Sequence, residues 1–217
     1  MKIRVWDNFT RIYHMAQLVL IAVLWYSAEE ALFDLHFSCA FILFGLWLTR
    51  LVWGFVGSES SRFSQFIKSP ISVCKHLLKR EQRPNHLGHN PIGGYMVLAL
   101  LLSLGLQLVT GLFASDDVFS EGPLYPFFSE SLVAQMDSLH HANFNVLLFL
   151  IGLHMSAGVL HLIKGDNVIW AIISGVKKDT AVNANKPLKF KSSWLALLLW
   201  GVLALMAYDF GMQYASY

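Results

Sequence analysis

The sequence predicts an all-α integral membrane protein, a four-helix transmembrane bundle followed by a fifth, C-terminal transmembrane helix. Three observations predict it. The 217 residues are 55% hydrophobic and only 14% charged, and a mean hydropathy of +0.51 is too apolar for a water-soluble domain of this length. Five apolar stretches each approach the roughly 20 residues a helix needs to cross a hydrocarbon core, where only helices or closed barrels satisfy their backbone groups. The basic residues, finally, are sorted into alternate connections between those stretches.

The spans are expected over 12–28, 35–56, 93–114, 140–163 and 194–212. Trp25, Tyr26, Trp53, Tyr95 and Trp194 fall near their ends, where interfacial aromatic belts lie. Residues 1–178 then form the four-helix unit, and 179–217 a linker and the fifth helix. The first span is not read as a cleaved signal, because no short apolar region ends in a small-residue cleavage site. Two cysteines, Cys39 and Cys74, are too few for a disulfide framework or a cysteine-rich metal site. Nothing in the pattern points to nucleic acid.

Lys2, Arg4 and Arg11 precede the first span, and Arg62, Lys68, Lys75, Lys79, Arg80 and Arg83 follow the second. Lys164, Lys177, Lys178, Lys186, Lys189 and Lys191 follow the fourth, and Arg50 lies near the basic end of the second. The other two loops and the C-terminal tail hold no Lys or Arg. By the positive-inside rule the N-terminus is cytoplasmic and the C-terminus lies on the outer side. The outer loops are acidic, with Glu29, Glu30 and Asp34 in one and Asp116, Asp117, Glu121, Glu130 and Asp137 in the other. Such a face suits a basic partner.

Nine histidines are present. His76, His86 and His89 lie in the basic loop and read as solvated side chains. Polar and ionisable residues within spans are costly in lipid and default to function, which draws attention to His14, His36, His140, His141, His154 and His161. The topology sets their depths: His14 at the cytoplasmic start of the first span, His36 at the outer start of the second, His140 at the outer end of the fourth. His154, fourteen residues on, lies roughly 21 Å deeper and, nearly four turns away, on the same helix face. Two depth-matched pairs result, His36 with His140 and His14 with His154.

Paired neutral imidazoles across a bundle are what six-coordinate heme iron requires, whereas zinc wants about four protein ligands per structural site. No Cys-x-x-Cys-His motif occurs, so the expected groups are two non-covalent hemes b. His161 is the other candidate for the inner ligand, but twenty-one residues from His140 would separate the irons by roughly 31 Å. His141 is turned about 100° from His140. Gly45 in the second span and Gly105 and Gly111 in the third have room for a flat macrocycle or for close helix packing. Arg11 and Arg50 suit either the inner propionates or interfacial anchoring.

Several segments resemble the bacterial cytochrome b561 family, which includes the b-type cytochrome subunits of nickel-iron hydrogenases. They are Val5, Trp6 and Asp7 with Arg11, Ile12, Tyr13 and His14; Leu35 to Cys39 around His36; Gly88 to Gly94; and Leu139 with His140 through Gly152, Leu153 and His154. The resemblance covers roughly 1–178. It implies that His14, His36, His140 and His154 ligate two b hemes in a four-helix bundle. It also implies electron relay between the membrane quinone pool and a redox partner such as a hydrogenase, a periplasmic cytochrome c or superoxide, in the bacterial inner membrane. His141 stands where many relatives carry an acidic residue, and the fifth span has no counterpart in the four-helix core. Two other functions stay open on the residues: a superoxide:quinone oxidoreductase on the same scaffold, and a cofactor-free proton or metal-ion transporter that uses the histidines.

Overall fold

The computed structural model describes residues 2–67, 69, 71, 91–115, 120–178 and 188–214. His76, His86, His89, Cys74, Asp116, Asp117, most of the basic second loop, Lys186 and the Gly88 to Asn90 part of the family-like motif lie outside the described residues. A short strand β1 (Lys2–Arg4) leads into α1 (Asn8–Glu29) and α2 (Phe33–Val56). After a single helical turn, α3 (Phe63–Phe66), come α4 (Pro91–Gly111), α5 (Glu130–Ile163), the short α6 (Val168–Ser174), strand β2 (Val176–Lys178) and α7 (Ser193–Tyr214). Five helices, α1, α2, α4, α5 and α7, are long and apolar enough to cross a membrane, as the hydropathy pattern predicts.

The largest departure from the expected spans is in α5. It begins at Glu130 rather than at position 140 and runs for 34 residues, about 51 Å at 1.5 Å per residue. Its first ten residues include Gln135 and Asp137 beside Leu132, Val133 and Met136, so they read as non-spanning by hydropathy alone. They are nevertheless good helix formers, and Glu130 in the first turn meets the positive end of the helix dipole. His140 therefore stands ten residues inside a helix rather than at its start. In α4 the departure is the reverse: Leu112 and Phe113 donate to Val109 and Thr110, bonds of turn geometry that stop the helix at Gly111.

α2 is the most enclosed span, packed against α1 on one side and α7 on another. Gly45 permits the second contact, since a Cβ there would meet the Ala204 backbone nitrogen at 2.5 Å, and the Trp200 indole donates to Ile42 O at 3.2 Å. The space expected at Gly45 for a macrocycle is thus filled by the backbone of α7, a close approach that only a missing side chain allows. α5 packs along α4. Phe9, Tyr13, Leu43, Leu46, Trp53, Leu104, Leu108, Leu147 and Ala196 form the shared core.

Two polar features fix the end of the bundle that carries His14. β1 pairs antiparallel with β2, Lys2 opposite Lys178 and Arg4 opposite Val176, and Val5 N donates to Gly175 O at 2.8 Å. Gly175 holds φ +80°, the left-handed conformation that ends α6. Asp7 caps α1 by accepting from Thr10 N at 2.7 Å. Its other oxygen accepts from the Trp53 indole at 3.2 Å and from Ser61 Oγ at 2.9 Å, so one buried carboxylate ties α1, α2 and the turn after α2 together. Asp7→Ala removes the cap and strands the buried Trp53 indole N–H, while Ser61 Oγ keeps Thr10 Oγ1 at 2.7 Å. It is expected to cost about 3 kcal/mol, read as a lowered unfolding midpoint in detergent; an unchanged midpoint would refute the role given to Asp7.

Candidate functional site

Four of the in-span histidines meet in two pairs at opposite ends of the bundle. His14 of α1 faces His154 of α5, with ring centres 6.2 Å apart and planes inclined by 46°. His36, at the start of α2, and His140 of α5 lie at the other end, close enough to interact electrostatically. α1 and α5 are not packed backbone to backbone among the described residues; besides the histidines, the Trp25 and Phe144 rings bridge them at 6.1 Å. Between the two levels Leu147, seven residues from each α5 histidine and only 3% exposed, contributes to an apolar layer with Leu43 and Leu104.

The pair at the His36 and His140 end is held by hydrogen bonds that set its tautomers. Asn143 Nδ2 donates to Gln107 Oε1 at 2.7 Å and to Ser103 O at 2.9 Å, which points the Gln107 amide nitrogen at His140 Nε2, 3.1 Å away. Nε2 must then accept, so the ring proton is on Nδ1, 3.0 Å from the Gln107 carbonyl oxygen and 3.2 Å from Thr110 Oγ1. His36 is arranged alike: Nδ1 is 3.0 Å from Leu24 O and 3.2 Å from Ser27 Oγ. A carbonyl oxygen only accepts, so His36 too carries its proton on Nδ1 and keeps the Nε2 lone pair free. Gly111 makes room for this geometry, because a Cβ there would meet His140 Cε1 at 2.9 Å.

At the opposite end the arrangement is barer. His14 Nδ1 is buried and has no hydrogen-bond partner, as is Gln17 Oε1 one turn away. Arg50 is 3% exposed, its guanidinium 5.9 Å from the Tyr13 ring centre and 5.2 Å from that of Phe63, with Nη1 unpaired and Asp7 within electrostatic reach. Arg11 is turned elsewhere: Nε donates to Ile173 O at 2.9 Å, closing the C-terminal end of α6. His161 pairs with Asp166 at 3.4 Å, and Asp166 with Lys177 at 2.8 Å. His141 is 72% exposed beside Asp137 at 3.5 Å. His141 stands edge-on to the neighbouring His140 ring, centres 6.0 Å apart, on the exposed side of α5, and His161 is committed to Asp166.

Chemically, each level offers two neutral imidazoles and little else. Among the described residues no group of three or more His, Cys, Asp or Glu could hold a metal ion, so a four-ligand protein site of the zinc type is not formed there. Two imidazoles on opposite sides of one metal atom, each bonded at about 2 Å, have ring centres roughly 6 Å apart, which is the spacing of His14 and His154. Sequence reasoning missed Ser103, Gln107, Thr110 and Asn143. The signal was available: polar residues spaced by four and three along an otherwise apolar span place themselves on one helix face.

A family model described as prokaryotic cytochrome b561 matches residues 5–175. The chain is 26% identical over 164 residues to a protein of Bradyrhizobium diazoefficiens named "Probable Ni/Fe-hydrogenase B-type cytochrome subunit". That match covers 66% of this chain and 65% of the relative, so the chain spans just under two thirds of the relative's length. No solved structure matches. A contrast between two glycines checks the packing at His140. Gly111→Ala pushes on the imidazole and is expected to destabilise by about 1–3 kcal/mol. Gly152→Ala, with nothing within 4 Å, is expected to be neutral or to stabilise by about 0.5–1 kcal/mol through helix propensity. Thermal unfolding of both variants measures the difference, and equal midpoints would contradict the contact.

Proposed function

Since the chain belongs to the prokaryotic cytochrome b561 family, membrane b-type cytochromes of electron transfer, we propose that it holds two hemes b, one per histidine pair. They relay electrons between a redox protein at one membrane face and the quinone pool. The observation that carries this reading is the placement of two imidazole pairs at the two ends of a single face of α5. His36 and His140 would hold one heme, and His14 and His154 the other. Heme b would supply a one-electron ferric and ferrous couple there.

The residues around the pairs orient the ligands and keep water away. The Leu24 and Gln107 carbonyls hold the His36 and His140 rings through their Nδ1 protons, which leaves His36 Nε2 for iron, while the Gln107 side-chain amide on His140 Nε2 would yield its place to the metal. Leu147, Leu43 and Leu104 fill the space between the two levels. The buried, incompletely paired Arg50 suits an anionic propionate at the His14 level, while Arg11 is already committed to α6. The sorting of Lys and Arg to the His14 end supports a cytoplasmic N-terminus, a periplasmic C-terminus and a bacterial inner membrane. The redox protein then docks at the acidic, periplasmic His36 end; the name of the Bradyrhizobium relative supports a hydrogenase there, and a periplasmic cytochrome c fits the same charge.

Pyridine hemochrome analysis of purified protein tests the reading. Two hemes b per wild-type chain are expected, and His36→Ala or His154→Ala should each retain one. Absence of heme from a folded wild-type chain would overturn the proposal in favour of transport through the histidines.

A further inference from the structure

The strands that join the start of the chain to the segment after α5 are crowded with positive charge. Residues 2–11 and 164–178 hold six cations, Lys2, Arg4, Arg11, Lys164, Lys177 and Lys178, against two acids, Asp7 and Asp166. Asp7 is buried and spent on Thr10, Trp53 and Ser61, and Asp166 is spent on Lys177 at 2.8 Å, with His161 at 3.4 Å. Arg11 and Arg4 donate to neutral acceptors, Ile173 O and Asn8 Oδ1, which leaves their charge in place. Lys2 and Lys164 are exposed and have no carboxylate partner among the described residues. The antiparallel register sets Lys2 directly opposite Lys178, a like-charge pairing that destabilises a strand pair left to itself. An anion from outside the chain relieves it.

The surface beside these charges is apolar. α6 is anchored by Ala171, buried against Val5 and Trp6, and Asn167 caps it by accepting from Trp170 N at 2.8 Å. Ile169, Trp170 and Ile173 occupy one arc of about 100° on its other side and are exposed, Trp170 at 59%. A Cβ on Gly158 would lie 3.7 Å from Ile169 Cγ1, so α6 lies alongside the last turns of α5 and not beyond its end. Met155, Val159 and Leu162, around Gly158 on α5, are exposed as well. The apolar face of α6 thus continues the wall of a span. A soluble acidic protein would meet the end of the bundle, whereas an apolar wall rimmed by cations, with tryptophan at the boundary, fits a phospholipid of net negative charge.

We propose that α6 and the β1–β2 pair form a binding surface for anionic phospholipid in the leaflet at the His14 end. Ile169, Trp170 and Ile173 lie among the upper acyl carbons, and Lys2 and Lys164 meet the phosphate. The negative charge of the lipid offsets the excess on the strand pair. This surface needs neither heme nor quinone, so it stands or falls apart from the electron-transfer reading.

Tryptophan quenching of the purified protein in bilayers of brominated lipid tests this, with the Trp170 contribution taken as the difference between wild type and Trp170→Phe. Dibrominated phosphatidylglycerol should quench that contribution more strongly than dibrominated phosphatidylcholine. The preference should fall about fivefold in Lys2→Gln or Lys164→Gln, the effect of one lysine near an anionic surface. Lys189→Gln, the same charge change on the linker before α7, should keep it. On wild type alone, the preference should also decline as ionic strength rises from about 0.01 to about 1 M, where the Debye length shrinks to about 3 Å; this arm serves where the lysine variants do not fold. Equal quenching by the two lipids, a preference that survives both lysine substitutions or ignores salt, or a loss as large in Lys189→Gln overturns the inference. Trp170 quenched by neither lipid overturns it as well, in favour of a protein partner over α6.

Discussion

A polar group inside a lipid-embedded bundle has to be met by another group of the same chain, because the surrounding solvent offers no partner. In this protein that requirement organises the interior. The Asp7 carboxylate gathers a backbone N–H, an indole and a hydroxyl from three elements. Ser103, Asn143 and Gln107 form a ladder between α4 and α5 that ends on His140. The first ties three elements together at one end of the bundle; the second fixes the relative depth of α4 and α5 and decides which nitrogen of His140 carries the proton. Packing alone, with lipid as apolar as the core, would set neither.

The helix that carries both α5 histidines acts as a ruler. Fourteen residues separate His140 from His154, and the midpoint falls on buried Leu147. The remaining helices supply the opposing histidines at whichever end of the bundle they begin: α1 at one level, α2 at the other. α1 and α5 share little backbone contact among the described residues, whereas α4 and α5 pack along each other. α7 lies on α2 over Gly45.

Most of this architecture was legible in the sequence, for a physical reason. Span number follows from hydropathy, and the sharing of one face by His140 and His154 from helical period alone. The pairing of His14 with His154 followed from depth, and the structure brings those rings to 6.2 Å. What the sequence hid were features whose signal is local chemistry rather than apolarity. The ten residues before His140 are helical because of propensity and an acidic first turn, neither of which hydropathy counts. Arg11 suited either an anion or an interfacial anchor, and it is spent on Ile173 O, a carbonyl in a helix too short to announce itself. Gly45 signalled close approach; which neighbour would approach depended on Ala204 of α7, far later in the chain.

The seam between β1 and β2 joins residue 2 to residue 178, so the four histidine-bearing and packing helices form a circuit whose beginning and end are hydrogen-bonded to each other. The seam holds the start of α1 and the segment after α5 at one end of the bundle, beside His14 and His154, so the two helices that carry that pair are tethered to each other there. α7 begins at the same end, where Ser193 Oγ accepts from Phe9 N at 3.0 Å, and returns across Gly45 to complete the enclosure of α2. Loosening the seam would therefore be felt first at the His14 level.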